Sequence, residues 1–151
     1  RGLGDVYKRQ KQGLAAIVST KGNSACHLIL RGSNAATNHD RKSISEAIQK
    51  LRTAGLHEKI MVDCSHGNSR KDHSRQPDVA DDLCDQVSTG STAIFGVMLE
   101  SHLKEGKQKH EDGKELVYGQ SITDSCMSWA ATESVLSRLA KAVQKRRMKK
   151  G

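Results

Sequence analysis

Aromatic rings are scarce in this 151-residue sequence: Phe95, Trp129, Tyr7 and Tyr118 are all it has. It therefore lacks the series of stacking platforms on which single-stranded nucleic acid is usually bound. It has no Cys-x-x-Cys pair either. Cys26, Cys64, Cys84 and Cys126 are widely spaced, which argues against a zinc ribbon or a dithiol redox centre and suits reduced thiols in the cytoplasm. No apolar run approaches the roughly 18 to 20 residues needed to span a bilayer, and no signal-peptide core is present. These absences lead us to expect a cytoplasmic chain with neither a membrane nor a nucleic acid as partner.

The net charge of +8 would by itself raise nucleic acid or an acidic membrane as partners. Its distribution argues otherwise. Ten of the 25 basic residues lie at the ends, from Arg1 to Lys11 and from Lys141 to Lys150; setting these and Asp5 aside leaves 15 basic against 16 acidic residues. The body of the chain is close to neutral. Residues 1 to 10, RGLGDVYKRQ, show no clear period and resemble translated adaptor sequence. They are expected to be foreign to the fold, which would occupy residues 11 to 151.

From there short apolar runs alternate with helical patterns. Ala15 to Thr20 and His27 to Leu30 read as strands separated by the turn-rich Lys21-Gly22-Asn23-Ser24. A helix is predicted from Ser43, with Ser43 and Glu46 as a capping box, Ile44, Ala47, Ile48 and Leu51 as its apolar stripe, and Gly55 as its stop. Lys59 to Asp63 is a strand. A second helix is predicted from about Asp78, with Pro77 at its entry and Val79, Leu83 and Val87 on one face. Ala93 to Glu100 is a third apolar strand. The last helix, about Ser128 to Arg147, is expected to bury Val135, Leu136, Leu139, Ala140 and Val143. Near-continuous apolar strands alternating with amphipathic helices indicate an α/β fold with a parallel sheet. Three such units suit either an open doubly wound sheet or a piece of a (β/α)8 barrel, and periodicity does not separate the two.

In parallel α/β folds the ligand site lies beyond the C-terminal ends of the strands. The polar residues that fall there include Arg31, His66, Glu100 and, just before the last helix, Asp124. An arginine at a strand end offers a planar fork for phosphate or carboxylate, and Gly32 beside it lets a ligand approach the backbone. A salt bridge to a loop acid is its plainer role. One imidazole and two carboxylates suit a divalent transition metal such as manganese, iron, cobalt or zinc. Taken singly, each could instead be a loop histidine, a strand-end acid or an anion at a helix N-terminus. Cys64 neighbours His66, but adjacent residues of an extended segment face opposite ways, so a small buried thiol is the better reading. His102 lies two residues past Glu100 and suits either a supporting partner or a solvated loop. His27, His39, His57, His73 and His110 form no constellation.

The strings CHLILRG (26–32), MVDCSHGNSRKDH (61–73), GVMLESHLKEG (96–106) and YGQSITDSC (118–126), followed by Trp129, resemble successive segments of type I DAHP synthases, in the right order. The resemblance covers residues 14 to 147. It implies a C-terminal portion of a (β/α)8 barrel, about three β/α units, from an enzyme that condenses phosphoenolpyruvate with erythrose 4-phosphate and water to give DAHP and phosphate at the entry to aromatic biosynthesis. It implies further a divalent metal on His66, Glu100 and Asp124, phosphoenolpyruvate on Arg31 with His66 close by, an aromatic amino acid as feedback inhibitor and a homo-oligomeric parent enzyme. The family's cysteine metal ligand and most of its phosphate-gripping residues match nothing in this sequence, and neither Cys26 nor Cys64 is in that cysteine's position. The stretch GSNAATNHD after Arg31 also departs from the usual loop. These gaps predict a chain inactive alone. The competing expectations are a related phosphoenolpyruvate-dependent aldolase, such as an octulosonate 8-phosphate synthase, and a non-catalytic metal-binding or interaction module.

Overall fold

The computed structural model describes residues 7–11, 14–18, 21–23 and 25–149. Its first two strands, β1 (Tyr7–Lys11) and β2 (Leu14–Val18), pair antiparallel from Tyr7 opposite Val18 to Lys11 opposite Leu14. β1 thus runs across the boundary expected at residues 10 and 11. β2 begins one residue before the predicted strand, whose last residues, Ser19 and Thr20, lie outside the described residues.

Three β/α units follow: β3 (Leu28–Leu30), α1 (Arg41–Thr53), β4 (Ile60–Asp63), α2 (Gln76–Ser88), β5 (Ile94–Met98) and α3 (Trp129–Met148). The strands form a parallel sheet in the order β3-β4-β5, with Leu28 opposite Ile60 and Val62 opposite Val97. Among the described residues no helix is long and apolar enough to cross a membrane.

Local chemistry sets the helix ends. The cap of α1 is Asp40 rather than Ser43: its carboxylate accepts from the Ser43 N–H at 3.0 Å and the Ser43 hydroxyl at 2.6 Å. A carboxylate three residues upstream reaches the exposed N–H groups of the first turn, so Ser43 becomes a donor inside the helix. Gly55, in the left-handed region at φ 68°, ends α1 as predicted, with Leu56 N–H bonded back to the Leu51 carbonyl. α2 starts at Gln76, two residues earlier than expected, because Pro77 sits inside the first turn, where no N–H is needed. α3 begins after Ser128, whose hydroxyl accepts from the Ala131 N–H.

The core lies between the sheet and the pair α2 and α3. Ile60, Val62, Leu83 and Ala80 are wholly buried, with Val79, Val87, Ile94, Met127 and Val135 packed around them. α3 faces this core through Thr132, Val135, Leu139 and Ala142. Leu136 and Ala140, expected inside, are exposed: one residue is about 100° of helical turn, which carries Leu136 away from Val135 and off the seam with α2.

Candidate metal centre

The chain leaves β4 at Asp63 and turns tightly, with Ser69 N–H bonded to the Ser65 carbonyl and Lys71 N–H to the His66 carbonyl. His66 itself has φ 44°, an uncommon conformation for a residue with a Cβ and one that often marks a functional position. Asp63, almost fully buried, fixes this turn twice. One carboxylate oxygen accepts from the Ser65 N–H at 2.8 Å; the other lies 2.7 Å from His66 Nδ1. An ionised carboxylate only accepts, so Nδ1 carries the proton. That leaves Nε2 facing Glu100, whose Oε1 is 3.4 Å away.

Glu100 stands two residues beyond the end of β5. Its N–H donates to the Gln76 side-chain oxygen at 2.9 Å, and its carbonyl accepts from the Gln76 amide at 3.1 Å and the Met127 N–H at 2.9 Å. Pairing between Ser101 and Met127, and between Gly106 and Cys126, carries the returning loop alongside. This brings in Asp124, whose neighbour Ser125 is bonded through its hydroxyl to His73 Nδ1 at 2.8 Å. Donor atoms of His66, Glu100 and Asp124 all lie within 4.8 Å of one another.

Three predicted residues separated by 34 and 24 positions are therefore in one cluster. Two carboxylates and an imidazole nitrogen converge through lone pairs alone, an arrangement that repels itself unless a cation or a proton lies between them. The mixed nitrogen and oxygen set fits a divalent transition metal. The Asp63–His66 pair adds the carboxylate that commonly orients and strengthens a metal-binding imidazole. Asp124 is exposed, so the cluster opens to solvent on its side.

Arg31 sits on the same rim, one residue past β3. Its side chain is exposed, and among the described residues its guanidinium has no hydrogen-bond or ion-pair partner. Its backbone is drawn against the His66 turn. Asn68 N–H donates to the Arg31 carbonyl, and the Asn68 amide donates to the Leu30 and Asp63 carbonyls while its oxygen accepts from Asn38 N–H. The approach is close enough to demand glycines: a Cβ on Gly67 would lie 2.4 Å from Ser33 N, and one on Gly32, at φ 69°, 2.7 Å from Asn68 N.

The remaining candidates lie outside the cluster. Cys64 is fully buried, and burial, with the neighbouring Asp63 charge, pushes its thiol up to about 12, so it is no nucleophile. His102 accepts the Leu103 N–H on Nδ1 and does not support Glu100. His39 pairs with Asp82 at 2.8 Å, His27 packs edge-on against Phe95, and His57 and His110 are exposed. Sequence reasoning missed Asp63, Gln76 and Asn68 as supports. Asp63 carried a signal, being a strand-end acid three residues before a loop histidine; Gln76 carried none, because its partner is a backbone 24 residues away.

A family profile described as the DAHP synthetase I family matches residues 6–137. Among curated proteins, a phospho-2-dehydro-3-deoxyheptonate aldolase of Alternaria alternata is 52% identical over 139 residues, covering 91% of this chain and 37% of that protein. The Phe-sensitive enzyme of Escherichia coli K12 is 48% identical over 137 residues, 91% of this chain and 39% of its own length. The tyrosine-inhibited enzyme of Candida albicans is 50% identical over 144 residues, 91% of this chain and 38% of its own length. The phospho-2-dehydro-3-deoxyheptonate aldolase of Francisella tularensis superposes with a TM-score of 0.83 at 43% identity, covering 95% of this chain and 42% of that structure. The chain thus spans about two fifths of the relatives it matches.

Proposed function

The chain belongs to the DAHP synthetase I family, and from that premise we propose that it forms the metal-bearing side of a 3-deoxy-7-phosphoheptulonate synthase active site. The reaction joins phosphoenolpyruvate, erythrose 4-phosphate and water into DAHP and inorganic phosphate. Convergence of His66, Glu100 and Asp124 within 4.8 Å carries the reading.

The three β/α units are read as consecutive units of a (β/α)8 barrel. Their sequential strand order, with no reversal, and ligands gathered on the C-terminal rim support this. Residues that complete the barrel and its substrate clamps would lie in sequence matching the relatives' remaining length.

His66 Nε2 and the carboxylates of Glu100 and Asp124 would hold the divalent metal, which when bound supplies Lewis-acid polarisation of an aldehyde oxygen or of water. Asp63 keeps the His66 proton on Nδ1, so Nε2 is available to the centre. Arg31, unpaired among the described residues, offers its planar fork to the phosphate or carboxylate of phosphoenolpyruvate. The close approach of Gly32 and Gly67 holds the Arg31 backbone against the His66 turn, which supports reading the two side chains as parts of one site. Relatives described as Phe-sensitive and tyrosine-inhibited make an aromatic amino acid the inhibitor class to expect for the whole protein.

Manganese binding by the chain and by His66→Ala tests the centre. The substitution should lower affinity by more than the roughly 10- to 100-fold typical of losing a supporting residue. Unchanged binding would remove His66 from the site.

A further inference from the structure

On the reading of His66, Glu100 and Asp124 as a metal centre, we propose that Gln76 is a positioning residue for it, setting the direction of the Glu100 carboxylate by clamping that residue's backbone. Gln76 is the first residue of α2 and is completely buried. Both ends of its amide are spent on one residue: Oε1 accepts from Glu100 N–H at 2.9 Å and Nε2 donates to Glu100 O at 3.1 Å.

The place where this occurs explains its use. The regular ladder between β4 and β5 ends at Asp63 opposite Met98, with a last bond from Cys64 N–H to the Met98 carbonyl. Glu100 lies beyond it. On one side its carbonyl meets Met127 N–H; on the other, the strand that would have continued the ladder has already turned away toward His66. The Gln76 amide stands in for the missing rung. It offers a donor and an acceptor with the spacing of a peptide group, so Glu100 is fixed from both sides although it is outside any strand. A side chain's direction follows its Cα; without Gln76 the Glu100 C=O would keep only Met127 N–H, and its N–H, left without a partner, would shift to find another.

Gln86 supplies an internal comparison. It lies on the same helix, is equally buried, and also uses its amide twice, on the His39 carbonyl at 2.8 Å and Asp82 Oδ2 at 3.1 Å. Nothing it touches belongs to the metal centre. Gln76 accepts one bond and donates one, whereas Gln86 donates both; replacing either by methionine keeps side-chain length and removes two hydrogen bonds from a buried amide, so both should lower stability.

The experiment measures manganese affinity and the electron paramagnetic resonance line shape of the bound ion, with circular dichroism and melting temperature, for the chain and for Gln76→Met, Gln86→Met and His66→Ala. The expected result is a roughly 10- to 100-fold weaker and spectroscopically altered site in Gln76→Met, against unchanged affinity and line shape in Gln86→Met. Gln76→Asn, which keeps an amide one methylene shorter, should weaken binding too and replaces the methionine variant if that one does not fold. Wild-type affinity and line shape in the Gln76 variants would overturn the proposal while leaving the centre in place. Equal losses in the Gln76 and Gln86 variants would also overturn it, showing an effect of stability alone. Undiminished binding by His66→Ala would instead remove the centre itself.

Discussion

Four residues of the rim show what a side chain's place in a sequence does and does not disclose. That His66, Glu100 and Asp124 would come together, and that Arg31 would lie on the same rim, was legible because each follows an apolar run or precedes a helix, and parallel α/β folds collect such positions at one end. Their supports were not, since Gln76 and Asn68 act through backbone groups that no pattern of residue types marks. Cys64 offers a test at this scale. With its thiol pushed up to about 12 by burial, it should resist a disulfide reagent at pH 8, while the exposed Cys26 reacts. Comparing labelling of the folded chain with labelling in denaturant, site by site, checks this; fast modification of Cys64 without denaturant would mean the core opens readily.

Among the elements, type was easier to read than boundary. All three helices and the strands of the parallel sheet were visible from the spacing of apolar residues, whereas the start of α1 turned on which of two polar residues reached the free N–H groups first. Asp40 won, and its hydrogen bonds to the Ser43 hydroxyl and N–H hold its carboxyl below the usual carboxylate range. Because the folded value is the lower one, this stabilisation is complete above the unfolded value near 3.8 and fades as pH falls through the folded value. Asp40→Ala should therefore cost about 0.5 to 2 kcal/mol at pH 7, as helix caps commonly do. Urea unfolding of the variant and the parent at pH 7 and again at pH 3 should show the gap narrowing in acid. The burial of α3 was misjudged at Leu136 and Ala140 for a related reason: hydrophobicity names candidates for a face, and only the neighbouring helix decides which stripe is covered.

At the scale of the whole molecule, β3 and β5 each have, among the described residues, one edge without a strand neighbour, and Leu28, Ile29 and Phe95 are 37%, 38% and 49% exposed. Open parallel edges beside apolar surface favour self-association. We expect the 151-residue chain alone to form no detectable DAHP from phosphoenolpyruvate and erythrose 4-phosphate, and to self-associate on a sizing column as its concentration is raised, so that binding and unfolding are measured on the dilute chain. A monomer at every concentration would contradict the second expectation, and product formation the first. The three proposed ligands also stand far apart along the chain, at 66, 100 and 124, and each enters the cluster from a different segment of the fold. No local stretch can assemble the cluster, so it comes into being only once distant parts of the chain have docked in register. An ion captured there would act as a clasp that closes last, its grip a report on whether the surrounding architecture has finished folding.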